Sequence, residues 1–114
     1  MHEFGIIEDI VRLVGEKAAD HGVHRVTCVR LRVGRLRQVE PASLRFAFET
    51  LARGTIMEDA LLDVDFIPIR LRCRHCGNEF ELADALPYQC SQCNGRNVDV
   101  SAGKELILKD IEGE

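Results

Sequence analysis

The chain has 114 residues and a mass of 12.8 kDa, room for one small domain or a domain with an appended module. It is 46% hydrophobic and 30% charged, which excludes a disordered tail, and 15 Lys+Arg against 19 Asp+Glu exclude a surface wholly committed to nucleic acid. No apolar run exceeds four residues, and the start MHEFGIIED carries acids where a leader peptide needs bases, so a cytoplasmic protein without membrane contact is expected.

From Phe4 to about Asp20, residues Ile7, Ile10, Val11, Val14 and Ala18 recur at helical spacing, and His21-Gly22 supplies a stop. Val29, Leu31 and Val33 then alternate with Arg30 and Arg32, the pattern of a strand with one wet face. Gly34 to Glu40 reads as a loop. Pro41 opens a second helix with an apolar stripe of Leu44, Ala47, Phe48 and Leu51, ended by Gly54. Leu62, Val64 and Phe66 alternate with Asp63 and Asp65, and the phase flips at Ile67, Ile69 and Leu71, which predicts a bulge or bend near Pro68. A cysteine-containing segment interrupts from about Cys73 to Arg96, and a last strand runs from Lys104 to Ile111. The expected fold is α+β: a small sheet covered by two helices, with a separate zinc-ribbon-like four-cysteine module.

Four of the five cysteines form two C-x-x-C pairs, Cys73/Cys76 and Cys90/Cys93, while an odd total makes a poor disulfide framework. A two-residue spacer lets one tight turn aim two thiolates at one ion, so two such turns complete a tetrahedral site. A closed four-sulfur site suits zinc or iron and leaves no position open for catalysis; zinc, structural and one per chain, is the favoured ion. It would hold a segment whose own apolar residues are nearly limited to Phe80, Leu82, Leu86 and Tyr88. His75 reads as a spacer inside the first knuckle and Cys28 as a small buried hydrophobe.

Residues 24–53 carry seven Arg against two acids. The group Arg30, Arg32, Arg35 and Arg37 reads either as a solvated strand face or as a site for an acidic partner. At the start, His2 next to Met1 should keep the methionine and its free α-amine. The α-amine, the His2 peptide nitrogen and the His2 imidazole can close a five- and a six-membered ring around Ni(II) or Cu(II). By itself this start reads first as an exposed histidine, and Glu40 before the second helix is either a supplementary ligand or a group at the helix dipole's positive end.

MHEFGIIEDIV at the start, VGRLRQVEPASLRFAFE at 33–49 and the paired C-x-x-C motifs, in that order, closely resemble the HypA/HybF family of hydrogenase nickel-incorporation proteins. Gly5 departs from the larger or hydroxylated residue usual there. The resemblance implies a nickel-binding α/β domain over 1–70 and 97–114 and a structural zinc domain over 71–96. It implies nickel as transient cargo held chiefly by His2, with the Met1 amine and Glu3 contributing, and zinc on Cys73, Cys76, Cys90 and Cys93. It further implies no enzymatic activity and delivery of nickel to the large-subunit precursor of [NiFe] hydrogenase. An accessory GTPase (HypB-like) would be the partner, with no nucleic acid and room for a homodimer. The competing readings are a zinc-ribbon module that binds nucleic acid or a protein, and an iron–thiolate electron carrier.

Overall fold

A computed structural model describes residues 2–82 and 89–114; Met1, and with residues 83–88 the expected apolar side chains Leu86 and Tyr88, lie outside the described residues. The elements in chain order are α1 (His2–Asp20), β1 (Val26–Gly34), a 3-10 turn (Arg35–Arg37), α2 (Pro41–Ala52), β2 (Leu61–Ile67), β3 (Arg70–Cys73), β4 (Glu79–Glu81), β5 (Val98–Ala102) and β6 (Leu106–Gly113). The architecture is α+β, with two three-stranded sheets ordered β2-β1-β6 and β4-β3-β5. The chain divides into two compact units.

The first unit comprises Met1–Arg32, Val39–Asp65 and Ile107–Glu114. Helix α1 buries Ile7, Ile10, Val14 and Ala18, the single stripe that a 3.6-residue repeat allows. It stops in a Schellman motif: Gly22 has φ +67°, its N–H donates to the Ala19 carbonyl, and the Val23 N–H donates to the Ala18 carbonyl at 2.8 Å. Helix α2 begins as its sequence dictates, with Pro41 in the first turn and the Glu40 carboxylate accepting from the Ser43 N–H at 2.7 Å. The two helices pack on each other, and Leu44, Ala47, Phe48 and Ala52 form the buried face of α2.

In β1, Val29 and Leu31 are fully buried while Arg30 and Arg32 lie on the wet face, where they meet acids from both neighbouring strands. Arg30 reaches Asp110 and Glu112 at 2.8 Å each and Asp63 at 3.8 Å; Arg32 reaches Asp65 at 3.9 Å. Hydrogen bonds to Asp110 first, then Glu112, hold the Arg30 guanidinium charged well beyond its ordinary range. Past the end of β6, Arg25 and Glu114 exchange both backbone hydrogen bonds, the mark of an antiparallel pair.

The second unit comprises Val33–Gln38 and Phe66–Leu106. Its sheet is antiparallel on both sides of β3, with Leu71 opposite Phe80 of β4 and Val100 of β5, and a register shift between Arg70 and Leu71 on the β5 side. The expected phase flip is real but is more than a bulge: β2 ends at Ile67, and β3 starts at Arg70 in a different sheet. Strands β4 and β5 fall inside or beside the segment that sequence alone leaves as an irregular metal loop. Gly34 packs its backbone on Gly103, so a methyl group there would run into the Gly103 carbonyl.

Two outcomes follow from this core. Phe48→Ala, at a side chain only 2% exposed, is expected to cost about 3–5 kcal/mol in a denaturant melt. The N–H groups of Ser43 and then Ala42 hold the Glu40 carboxyl below its ordinary 4.5. The cap's contribution is therefore complete above that unfolded value and is lost as pH falls through the lower folded one. Glu40→Gln should lower the melting temperature at pH 7, and the difference from the parent should shrink as the pH falls below the ordinary 4.5 and through the lower folded value.

Candidate metal centre and the N-terminal cluster

The second unit brings Cys73, Cys76, Cys90 and Cys93 together, with all four sulfurs within 4.8 Å of one another. Two matching turns do this. The Gly77 N–H donates to the Cys73 carbonyl at 2.9 Å, and the Asn94 N–H donates to the Cys90 carbonyl at 3.0 Å. Each turn then closes on a left-handed residue, Gly77 at φ +76° and Asn94 at φ +61°. Cys73–Cys93 and Cys76–Cys90 approach to 3.6 and 3.5 Å. A tetrahedron with bonds of about 2.3 Å has edges of about 3.8 Å, so the donor set fits zinc in a closed site.

Backbone donors already favour thiolate at two positions. The N–H groups of Cys93 and Gln92 point at the Cys90 sulfur, both at 3.4 Å, and bring that thiol down to about 6. The N–H of Cys76 lowers Cys73 in the same way. At Cys76 the Asn78 N–H also favours thiolate, but burial and the neighbouring sulfurs outweigh it and push the thiol up. At Cys93 the Gly95 N–H is outweighed by Cys73. Four negative sulfurs at this spacing require a cation among them. The Asn78 side chain adds a donor 3.7 Å from the Cys90 sulfur, a contact that sequence reading missed although Cys-Gly-Asn was its signal.

His75 is exposed and is not part of the cluster. Cys28 is buried at 7% exposure, and burial pushes its thiol up, so it behaves as a small apolar residue. The arginine group is committed within the chain: besides Arg30 and Arg32, Arg35 lies over the Phe66 ring at 5.8 Å and Arg37 donates to the Lys104 carbonyl at 2.8 Å.

At the other candidate site, Met1 lies outside the described residues, and His2 opens α1 with its side chain 57% exposed. Glu3 is 5% exposed, the sole buried charged residue among those described. Its Oε2 stands 3.2 Å from His2 Nε2 and accepts from the Glu40 N–H at 3.2 Å. That N–H, followed by Glu3's own, holds the Glu3 carboxyl below the usual carboxylate range. The Glu40 carboxylate points away into its helix cap and does not join His2 and Glu3.

A small α+β chain whose four clustered cysteines could hold a metal ion in a closed site falls in the class of metal-binding proteins. Among the described residues no helix is long and apolar enough to cross a membrane. The family model for hydrogenase/urease nickel incorporation metallochaperones, HypA, matches residues 1–113. The chain is 39% identical over 113 residues to the hydrogenase maturation factor HypA of Syntrophus aciditrophicus, covering 98% of each chain. It is 34% identical over 114 residues to that of Desulfitobacterium hafniense, covering 100% of this chain and 99% of the relative. The solution structure of the Ni metallochaperone HypA from Helicobacter pylori superposes with a TM-score of 0.68 at 26% identity, covering 97% of this chain and 96% of that one. The chain belongs to the HypA family of metallochaperones, which are not enzymes.

The metal centre is checked by cobalt substitution. One Co(II) per chain is expected, with the strong visible bands of a tetrahedral thiolate site. Cys90→Ser should abolish those bands and expose the second unit to proteolysis while the helical signal of the first persists.

Proposed function

We propose that this chain captures one Ni(II) at its N-terminus and passes it to the large-subunit precursor of [NiFe] hydrogenase with the help of an accessory maturation GTPase. The observation that carries the reading is the family match over residues 1–113, whose description names hydrogenase and urease nickel incorporation. On this reading the α-amine of Met1, the peptide nitrogen of His2 and the His2 imidazole supply three donors, and Glu3, ranked lower, contributes through its backbone or its carboxylate. Binding releases the amide proton and the α-ammonium proton to solvent, and no electron is transferred. The first N–H groups of a helix have no partner within it, so deprotonating the His2 amide breaks no helical hydrogen bond. Zinc on Cys73, Cys76, Cys90 and Cys93 is structural. We assign the nickel domain to 1–70 and 97–114, the zinc domain to 71–96, and the protein to the cytoplasm.

Calorimetric titration of zinc-loaded protein with a native N-terminus tests this beside His2→Ala. One nickel per chain is expected, with the affinity lost in the variant while fold and zinc content stay unchanged. Equal binding by both proteins would remove His2 as the anchor.

A further inference from the structure

We infer that Cys76 and Cys93 are sites of reversible oxidation, where a peroxide converts the four-sulfur centre into two disulfides, Cys76–Cys90 and Cys73–Cys93, that link the knuckles in place of the ion. This rests on the metal centre of the second unit and is independent of the N-terminal nickel reading. Cys76 and Cys93 are exposed, while Cys73 and Cys90 are each only 1% exposed. An oxidant arriving from solvent therefore meets the first two, and a buried sulfur reacts only after its exposed neighbour. Both sulfur–sulfur approaches, 3.5 Å for Cys76–Cys90 and 3.6 Å for Cys73–Cys93, join an exposed sulfur of one knuckle to a buried sulfur of the other. A Cβ at Gly95 would stand 3.3 Å from the Cys93 sulfur and 4.0 Å from the Cys73 sulfur, so glycine keeps a side chain off that pair.

Coordinated sulfurs are thiolates. An exposed thiolate displaces hydroxide from the peroxide and becomes a sulfenic acid, a two-electron oxidation of its sulfur. The facing thiolate attacks that sulfur, the S–S bond forms and a second hydroxide leaves. Each peroxide is consumed in turning two thiolates into one disulfide and two hydroxides, and zinc stays Zn(II). The first bond removes two of the four ligands, so the centre no longer holds its ion. A bond inside one C-x-x-C turn would join residues already held in that turn. The bonds across the knuckles join residues 14 and 20 positions apart, as the ion does, so reduction returns the four donors in place. Cys28 belongs to the first unit at 7% exposure and takes no part.

The test treats the zinc-loaded full chain with hydrogen peroxide, follows zinc release with a chromogenic chelator, and maps the disulfides by mass spectrometry. Cleavage after Arg74, Glu79 and Glu81 separates Cys73, Cys76 and the Cys90/Cys93 pair into three peptides. Bonds across the knuckles hold all three in one species, and fragmentation of that species assigns Cys76–Cys90 and Cys73–Cys93. Bonds within the turns instead leave two unlinked species. The expected result is loss of the bound zinc, both cross-knuckle bonds, a free Cys28 thiol, and recovery of zinc binding after dithiothreitol. Four other outcomes overturn the proposal: zinc kept under a large excess of peroxide, bonds within the turns, a bond to Cys28, or sulfinic and sulfonic acids in place of disulfides.

Discussion

The second unit depends on four sulfurs that cannot all be ionised without a cation between them. Among the described residues of that unit, the fully buried apolar side chains are Val33 and Leu71, alongside the sulfurs of Cys73 and Cys90. The apolar area that these described residues bury is small for a unit of three short strands. The knuckle amides pull Cys73 and Cys90 toward thiolate, while crowding pushes Cys76 and Cys93 the other way. An ion removes that conflict, so binding energy and folding energy become one quantity in this part of the chain. In the first unit the two helices pack on each other and bury Ile7, Ile10, Val14 and Ala18 of α1 and Leu44, Ala47, Phe48 and Ala52 of α2, beside the buried Val26, Val29 and Leu31 of β1.

That difference explains what could be read from the sequence. Helix α1 is visible because 7, 10, 14 and 18 are all apolar, and α2 because Glu40-Pro41 followed by Leu44, Ala47 and Phe48 states both a start and a face. The knuckles are visible because their spacing is a chemical requirement. Strand β4 is not: Glu79-Phe80-Glu81 has one apolar residue, and its pairing with β3 is held by the turn at Gly77. Strand β5 alternates Val98, Val100 and Ala102 with Asp99 and Ser101, a readable pattern obscured by its closeness to the second cysteine pair. Leu106-Ile107-Leu108 lacks alternation, and the strand leaves Ile107 45% exposed between half-buried neighbours.

Long-range polar contacts were the least legible. The arginine-rich stretch reads from sequence either as a solvated strand face or as a site for an acidic partner, because Asp63, Asp110 and Glu112 lie far from Arg30 in the chain. Three carboxylates around one guanidinium leave that group little free field, and the wet face of β1 becomes a lattice of opposite charges between neighbouring strands. Glu3 is the same case at smaller scale. Its place in the motif points to the nickel site, while its burial and the hydrogen bond it accepts from the Glu40 N–H become visible only in the fold.

Under the proposed function the two metal sites answer opposite requirements. Four thiolates of one chain surround an ion completely, so exchange needs a protein ligand to leave first, and the centre suits a metal that stays. A chelate built from the first two residues leaves part of the coordination plane open to an incoming donor. Its nitrogens belong to backbone that makes no helical hydrogen bond, so release need not disturb α1.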